Sequence, residues 1–315
     1  MITIFYRLGG KLLMSQSETE LSKLSTKDVL WIDILAPTSE EKHSVDDFLG
    51  IVIQSRAQAE EIESSSRFSE NERAIFANTN FLMPGPEDYT MEAVSFTFVD
   101  NCMTTLRDVP LRSFTELQRR IMAMPQGYVS GYSVFASIMD QRIDLDADMI
   151  ELMTKEISQF SKRINQREDI NEDFLLDINQ LQENTMIVRE NIVDKQRLIT
   201  NLLKSEKCPD ALNKRFGVLL QDITSLINHT NFSFERLEYL QDTVVGLINL
   251  DQNNIMKIFT MVSVLLMPPT LVASFYGMNV FLPFGGWRFS WLAIVIFMLI
   301  LVVFVIYIFK KKKMF

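Results

Sequence analysis

Two long hydrophobic runs near the end of the chain dominate its pattern of apolar and polar positions. Phe289 to Phe309 reads FSWLAIVIFMLILVVFVIYIF, 21 residues without a charged side chain. Ile255 to Tyr276 is a second run of 22 residues, interrupted only by Lys257 near its start. At about 1.5 Å per residue, either run can cross a hydrocarbon core of roughly 30 Å. Because apolar residues cover every face of the last run, a buried core helix is a poor explanation. The pattern predicts two transmembrane helices.

The segments that flank these runs predict their direction. Lys310 to Lys313 directly follows the second run, and basic clusters of this kind stay on the cytoplasmic side of a membrane. Two spans return the chain to the side from which it started, so both termini are predicted to be cytoplasmic. The segment YGMNVFLPFGGW, Tyr276 to Trp287, would then face outward as the turn of a tight helical hairpin.

Strand signals lie in the first part of the chain. VLWIDILAP (Val29 to Pro37) predicts a strand, and MEAVSFTFVD with CMTTLRDV predicts a hairpin around Asp100 and Asn101. Thr38 with Glu41 has the spacing of a capping box at a helix start, and Ser113 with Glu116 suggests another.

After about Ser130 the strand signals stop and the pattern becomes helical, with breaks near residues 169–171 and 207–210. No proline occurs between Ala211 and Met267, which predicts one helix that runs from the body into the membrane. Two collinear helices with a bend near Gly246 are the alternative. The apolar positions Phe174, Ile178, Leu181, Val188 and Ile192 recur at helical spacing. The predicted organisation is an α/β domain (1–129), a long-helix and stalk region (130–254), a first span (255–276), an outward loop (277–288), a second span (289–309) and a basic tail (310–315).

Charge and composition exclude several functions. No acidic residue follows Asp251, and six basic residues do, so the formal net charge of −9 becomes −15 for residues 1–251. Such a body should repel nucleic acid and attract cations. Cys102 and Cys208 are isolated, and His43 and His229 belong to no ligand-spaced motif, which argues against a disulfide framework or a structural zinc site. Without a GxxxxGK[ST] loop, nothing indicates ATP hydrolysis, and an enzyme has the least support.

The first predicted span carries a polar and thioether stripe on one side. Either the stripe faces an aqueous path, or it packs helices through small and polar residues; the pattern alone leaves both open. A symmetric ring of subunits could enclose such a path. Without carboxylates it would bind a divalent cation through the ion's water shell, and Mg²⁺ is the ion that keeps its waters most readily. The positions that recur every three or four residues are Asn253, Met256, Thr260, Ser263, Met267, Thr270, Ser274 and Gly277.

The sequence also resembles a known family. Gly277-Met278-Asn279, after the first of two C-terminal spans, is similar to the signature of the CorA family of divalent-cation channels, and Ile248 to Asn279 closely resembles the enterobacterial type. VLWIDILAP, AEEIESSSRF ending at Phe68, and AVSFTF followed by TLRDVPLRSF resemble the soluble domain of that family. The resemblance covers nearly the whole chain.

This resemblance implies an α/β cytosolic domain with a long stalk helix and a two-span α-helical membrane domain, assembled as a funnel-shaped homopentamer in the bacterial inner membrane. It implies a passive channel, driven by the membrane potential, for Mg²⁺ and also for Co²⁺ and Ni²⁺. Mg²⁺ would be both the transported and the regulatory ion, with no other cofactor and with membrane lipid as a further partner. Intracellular Mg²⁺ would close the channel at acidic sites between subunits, which the resemblance does not assign to residues here.

The resemblance also implies roles for individual residues. Asn279 would form the outer selectivity ring and contact the ion through its waters, with Gly277 and Met278 holding its turn. Phe259 would form an inner hydrophobic constriction. The path as a whole would be lined by Asn253, Met256, Phe259, Ser263, Met267 and Thr270.

One feature departs from the family pattern. Many relatives follow GMN with an acid-containing loop of the FEFMPEL type, whereas this chain has VFLPFGG. The sequence therefore leaves more than one preferred ion possible, and a zinc transporter of the ZntB branch is an alternative. A two-span signalling protein is a further alternative, although an outward loop this short could not form a ligand-binding domain.

Overall fold

A seven-stranded mixed sheet is built from the first third of the chain in the computed structural model, which describes residues 1–55, 58, 67–85, 89–168, 170–278 and 289–311. Its order is β2-β1-β3-β7-β6-β5-β4, and only β3 and β7 pair in parallel among the described strands. The strands are β1 (Ile2–Leu8), β2 (Lys11–Ser15), β3 (Val29–Leu35), β4 (Phe68–Glu70), β5 (Ala74–Pro84), β6 (Tyr89–Val99) and β7 (Cys102–Arg107).

The strand and the hairpin predicted from the sequence are both confirmed. β3 covers the VLWIDIL segment, and every one of its residues except Leu35 is buried, as befits a central strand. β6 and β7 form the hairpin, with Val99 opposite Cys102 and Asp100 at φ 52° in the turn between them. An aspartate tolerates this left-handed conformation better than most side chains do.

The described part of the chain contains six α-helices. Short 3₁₀ segments lie at Glu18–Lys23, Pro125–Gly127 and Asp210–Leu212. The helices are α1 (Ser39–Leu49), α2 (Arg112–Ala123), α3 (Gly131–Gln166), α4 (Glu172–Lys204), α5 (Asn213–Tyr276) and α6 (Ser290–Lys311).

One of the two predicted capping boxes is confirmed and the other is wrong. At the start of α1, the Glu41 amide donates to Thr38 Oγ1 at 3.2 Å, and the Thr38 amide donates to Glu41 Oε2 at 2.9 Å. α2 instead begins after Leu111 without a side-chain cap, and Ser113 lies buried inside its first turn. Leu111 is itself buried, and its carbonyl accepts from the amides of Phe114 and Thr115. Docking of Leu111 into the core therefore decides where α2 starts.

The predicted breaks between the long helices are confirmed. α3 ends at Gln166, with Arg167 in a left-handed conformation, and α4 begins after Asn171, whose Oδ1 accepts from the Phe174 amide at 3.0 Å. Asp169 lies outside the described residues. All five apolar positions predicted to share one face of α4 are buried. The long helix predicted after Ala211 is confirmed as α5, which has 64 residues and runs without a break through Gly246 to Tyr276.

Two apolar layers hold the helices on the sheet. On one face, α1 places Val45 and Leu49 against Ile4, Ile32 and Ile34. On the other face, α2 and α3 pack aromatic side chains onto the strands. Phe5 stacks on Trp31 with ring centroids 5.1 Å apart, Trp31 contacts Phe114, and Phe96 meets Phe135 edge to face at 5.0 Å. The predicted α/β class is therefore confirmed.

A charged cluster is buried where α3 and α4 meet β5. Asp146 on α3 accepts from Arg142 at 2.7 and 3.0 Å, and its other carboxylate oxygen lies 2.9 Å from Lys195 Nζ on α4. Lys195 is 0% exposed and also donates to Asn191 Oδ1. Burial lowers the pKa of Lys195, and the nearby Asp146 carboxylate opposes this shift. Two buried cations thus share one carboxylate.

The chain divides into two compact units, Met1–Gln241 and Asp242–Phe315. The first contains the sheet, α1 to α4 and the beginning of α5. The second contains the rest of α5 and α6. The domain boundaries predicted from the sequence at residues 129, 254, 276, 288 and 309 remain predictions.

Candidate functional site: a polar face on a membrane helix

The second unit consists of two apolar helices. In the described residues, α5 and α6 are the two helices that are long and apolar enough to cross a membrane, with mean hydropathies of 1.9 and 3.4 for their apolar windows. Large apolar side chains on these helices are exposed in the single chain, for example Met267 at 71% and Val303 at 64%. Such a surface needs lipid or further protein around it.

The six residues predicted to line a path all lie on the unbroken helix α5 and are all exposed in the single chain. At 100° per residue their positions fall within an arc of about 120°, so the helix brings them to one face. Phe259, 68% exposed, is the bulkiest among them. The structure thus places these residues side by side: Asn253, Met256, Phe259, Ser263, Met267 and Thr270.

The hydroxyl groups on this face have their protons already engaged. Ser263 Oγ donates to the Phe259 carbonyl at 2.9 Å, and Thr270 Oγ1 donates to the Leu266 carbonyl at 2.8 Å. A hydroxyl has one proton and two lone pairs, so each oxygen is left to the outside as an acceptor. The waters around a cation point their protons outward, away from the metal. The face therefore offers acceptors of the kind that a hydrated cation requires.

Two consecutive prolines lie inside α5. Pro268 and Pro269 have no amide proton, so the carbonyls of Val264 and Leu265 receive no helical hydrogen bond from them. One turn of the helix near the middle of the apolar stretch therefore lacks two of its regular backbone hydrogen bonds. The Pro-Pro pair itself was the available signal in the sequence. Buried or water-facing backbone of this kind is tolerated in membranes where it lines a cavity or contacts protein.

The helix ends where the predicted outer turn begins. The Gly277 amide donates to the Ala273 carbonyl at 2.9 Å, and the Met278 amide to the Phe275 carbonyl at 3.3 Å. A Cβ added to Gly277 would lie 3.2 Å from the Ala273 oxygen, closer than side chains normally approach. Glycine therefore suits this position. Asn279, to which the selectivity ring was assigned, lies outside the described residues, together with residues 280–288.

Acidic residues gather on the exposed side of α3. Burial, together with Asp140, Asp148 and Asp222, raises the pKa of the Asp144 carboxyl. The folded chain thus disfavours a full negative charge at this point. Within the described residues of one chain, no three His, Cys, Asp or Glu side chains are arranged to hold a metal ion.

The chain is similar to known proteins over most of its length. The family model described as CorA-like Mg2+ transporter protein matches residues 26–311. The magnesium transport protein CorA of Wolinella succinogenes is 32% identical, with 99% of each chain covered. That of Escherichia coli K12 is 32% identical over 87% of this chain and 88% of its own.

Solved structures show the same fold. The complete CorA magnesium transporter from Methanocaldococcus jannaschii has a TM-score of 0.81 at 18% identity and covers 99% of this chain and 98% of that one. The ZntB cytoplasmic domain from Vibrio parahaemolyticus has a TM-score of 0.58 at 16% identity and covers 79% of this chain and 98% of that one. At these identities the likeness concerns the fold alone.

Proposed function

Because this chain belongs to the CorA family of Mg²⁺ transporters, which are not enzymes, we propose that it is a passive channel that conducts hydrated Mg²⁺ along the polar face of α5. The observation that carries this proposal is one helix face that has hydroxyl acceptor oxygens and no carboxylate. The ion would move through the inner membrane without nucleotide hydrolysis.

The assembly proposed is a homopentamer in which each subunit contributes one copy of this face. One helix cannot enclose an aqueous path, whereas a symmetric ring can. The exposure of the apolar and polar sides of α5 in the single chain supports this assembly, because both sides need a cover. Phe259 from each subunit would form a narrow apolar ring, and Asn279, Met278 and Gly277 would form the outer mouth.

The proposed chemistry of conduction is weak, water-mediated binding. Mg²⁺ releases its waters reluctantly, so a neutral path that accepts hydrogen bonds from those waters lets the ion pass with its shell intact. Carboxylates on the same face would hold the ion more strongly and slow its release. The hydroxyls of Ser263 and Thr270 are the acceptors on which this proposal rests.

The proposed driving force is the membrane potential. Moving a divalent charge inward releases about 4.6 kcal/mol per 100 mV, twice the single-charge value. At about 1.4 kcal/mol for each tenfold ratio, this supports an accumulation of roughly a thousandfold.

The ion preference is tested by flux. Purified protein in proteoliposomes would be offered Mg²⁺, Co²⁺, Ni²⁺ and Zn²⁺ in parallel at equal concentration. The proposal expects Mg²⁺ to enter fastest, with Co²⁺ and Ni²⁺ also carried. Uptake of Zn²⁺ with little uptake of Mg²⁺ would instead assign the chain to zinc transport, whereas no flux of any ion would leave the signalling alternative.

The proposed topology places both termini in the cytoplasm. A single cysteine at Phe284, on a background with Cys102 and Cys208 replaced by serine, should react with a membrane-impermeant maleimide added to intact cells. A cysteine at Lys11 in β2 should react only after the cells are opened. Labelling of the Lys11 position from outside would show that the orientation is inverted.

We further propose that cytosolic Mg²⁺ bridges the acidic surfaces of neighbouring subunits and stabilises the closed assembly. A ligand that binds only the native state adds about 2.7 kcal/mol at a hundredfold excess over its Kd. Millimolar Mg²⁺ should therefore raise the melting temperature and slow proteolysis of residues 1–251. Asp144→Asn should reduce this Mg²⁺-dependent shift, because Asp144 lies among three other aspartates.

The same variant has an opposite effect without Mg²⁺. Because the folded state raises the pKa of Asp144, it favours the uncharged carboxyl, and an uncharged asparagine should leave stability unchanged or higher in chelator. Asp47→Asn, at an exposed position on α1, is the matched control and should keep the full Mg²⁺ response. Equal melting of the unmodified protein with Mg²⁺ and with chelator would argue against regulation by this surface.

A further inference from the structure

A cavity of about 680 Å³ lies beside α4 and strands β5 and β6, within the first compact unit. Arg67, Arg189 and Arg197 line it together with Glu190 and Asp194. A smaller cavity of about 220 Å³ shares Arg67, Asp194 and Arg197 with it. The two form one concave surface with three guanidinium groups against two carboxylates. Neither transport nor the acidic surface of α3 uses these residues.

The three arginines differ in how firmly they are held. Arg189 donates through Nε to Asn231 Oδ1 at 2.6 Å, and its other guanidinium nitrogens make no further hydrogen bond to the described residues. Arg67 lies 3.7 Å from Asp194 Oδ2 and 3.4 Å from Asn80 Oδ1, both long contacts. Within the part of the chain that the structure describes, the Arg197 side chain makes no hydrogen bond or ion pair. Asp194 in turn accepts from Thr79 Oγ1 at 3.1 Å, which holds its carboxylate towards the sheet.

The floor of the cavity connects to the buried charged cluster. Asn191 lines the cavity, its Nδ2 donates to the Asn80 carbonyl at 2.7 Å, and its Oδ1 accepts from the buried Lys195. Behind Asn191, Arg142 and Lys195 share the single carboxylate of Asp146. Through Asn191, the lining of the cavity is therefore hydrogen-bonded to a cluster in which two basic side chains share one carboxylate.

From this geometry we infer that the cavity binds a phosphate-bearing polyanion of the size of a nucleoside triphosphate. Guanidinium groups bind phosphate oxygens through pairs of parallel N–H donors, and three of them line this cavity. The volume exceeds the needs of a single inorganic phosphate and matches the usual range for small-molecule sites. The chain as a whole has a formal net charge of −9. A cavity with more arginines than acids therefore differs from the rest of the protein and favours anionic ligands. The site would bind an anionic metabolite on a protein whose proposed transported ion is a cation.

Binding is tested on the full-length protein in detergent with EDTA present, so that chelation of Mg²⁺ does not contribute. Isothermal titration with tripolyphosphate should show saturable binding with one site per chain that weakens as salt is added. ATP should bind at least as tightly as tripolyphosphate, and citrate more weakly. Citrate binding more tightly than tripolyphosphate would overturn the assignment to phosphate, and the absence of heat for both phosphate compounds at millimolar concentration would overturn the site itself.

Three substitutions assign the binding to this cavity. Arg197→Gln should weaken the affinity for tripolyphosphate by about tenfold, since it removes a charge-assisted donor. Glu190→Gln should tighten it severalfold by removing a repelling carboxylate, an effect that loss of folding could not imitate. Arg119→Gln, at an exposed arginine on α2, should leave the affinity unchanged. Equal weakening by Arg119→Gln and Arg197→Gln would show that the binding is a general attraction to positive charge and would overturn the inference.

Discussion

Asn279→Gly is expected to reduce Mg²⁺ uptake by at least about a hundredfold, because each subunit loses a hydrogen-bonding amide worth about 1 kcal/mol at the same ring. The proposed role of Asn279 is to accept from and donate to the waters of the ion. Glycine fits a turn after a helix at least as well as asparagine does, so the turn itself should survive. Uptake would be measured in proteoliposomes after size-exclusion chromatography has confirmed the assembled oligomer.

Asn279→Asp provides the complementary test at the same position. Several carboxylates around one mouth repel each other, which raises the pKa of part of the ring. They should bind the ion more tightly and release it more slowly, so that uptake saturates at a lower concentration with a lower maximum. Near-normal uptake by the assembled Asn279→Gly variant would show that Asn279 only ends a helix, and it would contradict the selectivity-ring proposal.

Asp146→Ala is expected to destabilise the folded protein by about 3–5 kcal/mol, because it leaves Arg142 and Lys195 buried without their shared carboxylate. Asp148→Ala, two residues further along α3 at an exposed position, is the matched control and should cost about 1 kcal/mol or less. Thermal or urea unfolding of the two variants would give the difference. A similar small loss for both would mean that the buried cluster contributes little.

Lys195→Met separates the two cations of the cluster. It leaves Asp146 paired with Arg142 alone, a balanced pair, so the loss should be clearly smaller than for Asp146→Ala. Because burial lowers the pKa of Lys195 in the folded state, the unfolded chain binds this proton more tightly. The stability of the unmodified protein relative to Lys195→Met should therefore rise with pH, from the lowered folded pKa up to the ordinary lysine value of about 10.4. A pH-independent difference would contradict this.

Local signals in the sequence predicted the local features of the fold. The capping box at Thr38, the hairpin at Asp100 and the buried face of α4 each depend on residues close together in the chain, and each is confirmed. The start of α2 was placed wrongly because Leu111 docks into a core built from distant segments. Four strands, β1, β2, β4 and β5, were not predicted. In β5, the buried Asn78 is hydrogen-bonded to Ser95, and the buried Thr79 to Asp194. Because these partners lie far along the chain, the polar residues of β5 did not indicate a buried strand.

The candidate sites divide in the same way. The polar face of α5 could be read from spacing alone, because one continuous helix of 64 residues carries it. The two helical hydrogen bonds missing at Val264 and Leu265 follow from a proline pair that is visible in the sequence. The arginine cavity and the buried cluster could not be predicted. Arg67 meets Arg197 at the cavity, and Arg142 meets Lys195 in the cluster, only after distant segments of the chain have packed together.

Mg²⁺ uptake into proteoliposomes under an imposed potassium-diffusion potential tests most directly whether this chain is a passive channel. With no nucleotide present, an interior-negative potential should drive Mg²⁺ inward, and the final concentration ratio should rise about thousandfold for each 100 mV. Reversal of the potential should reverse the flux. Uptake that does not respond to the potential, or that requires ATP, would contradict the proposed mechanism.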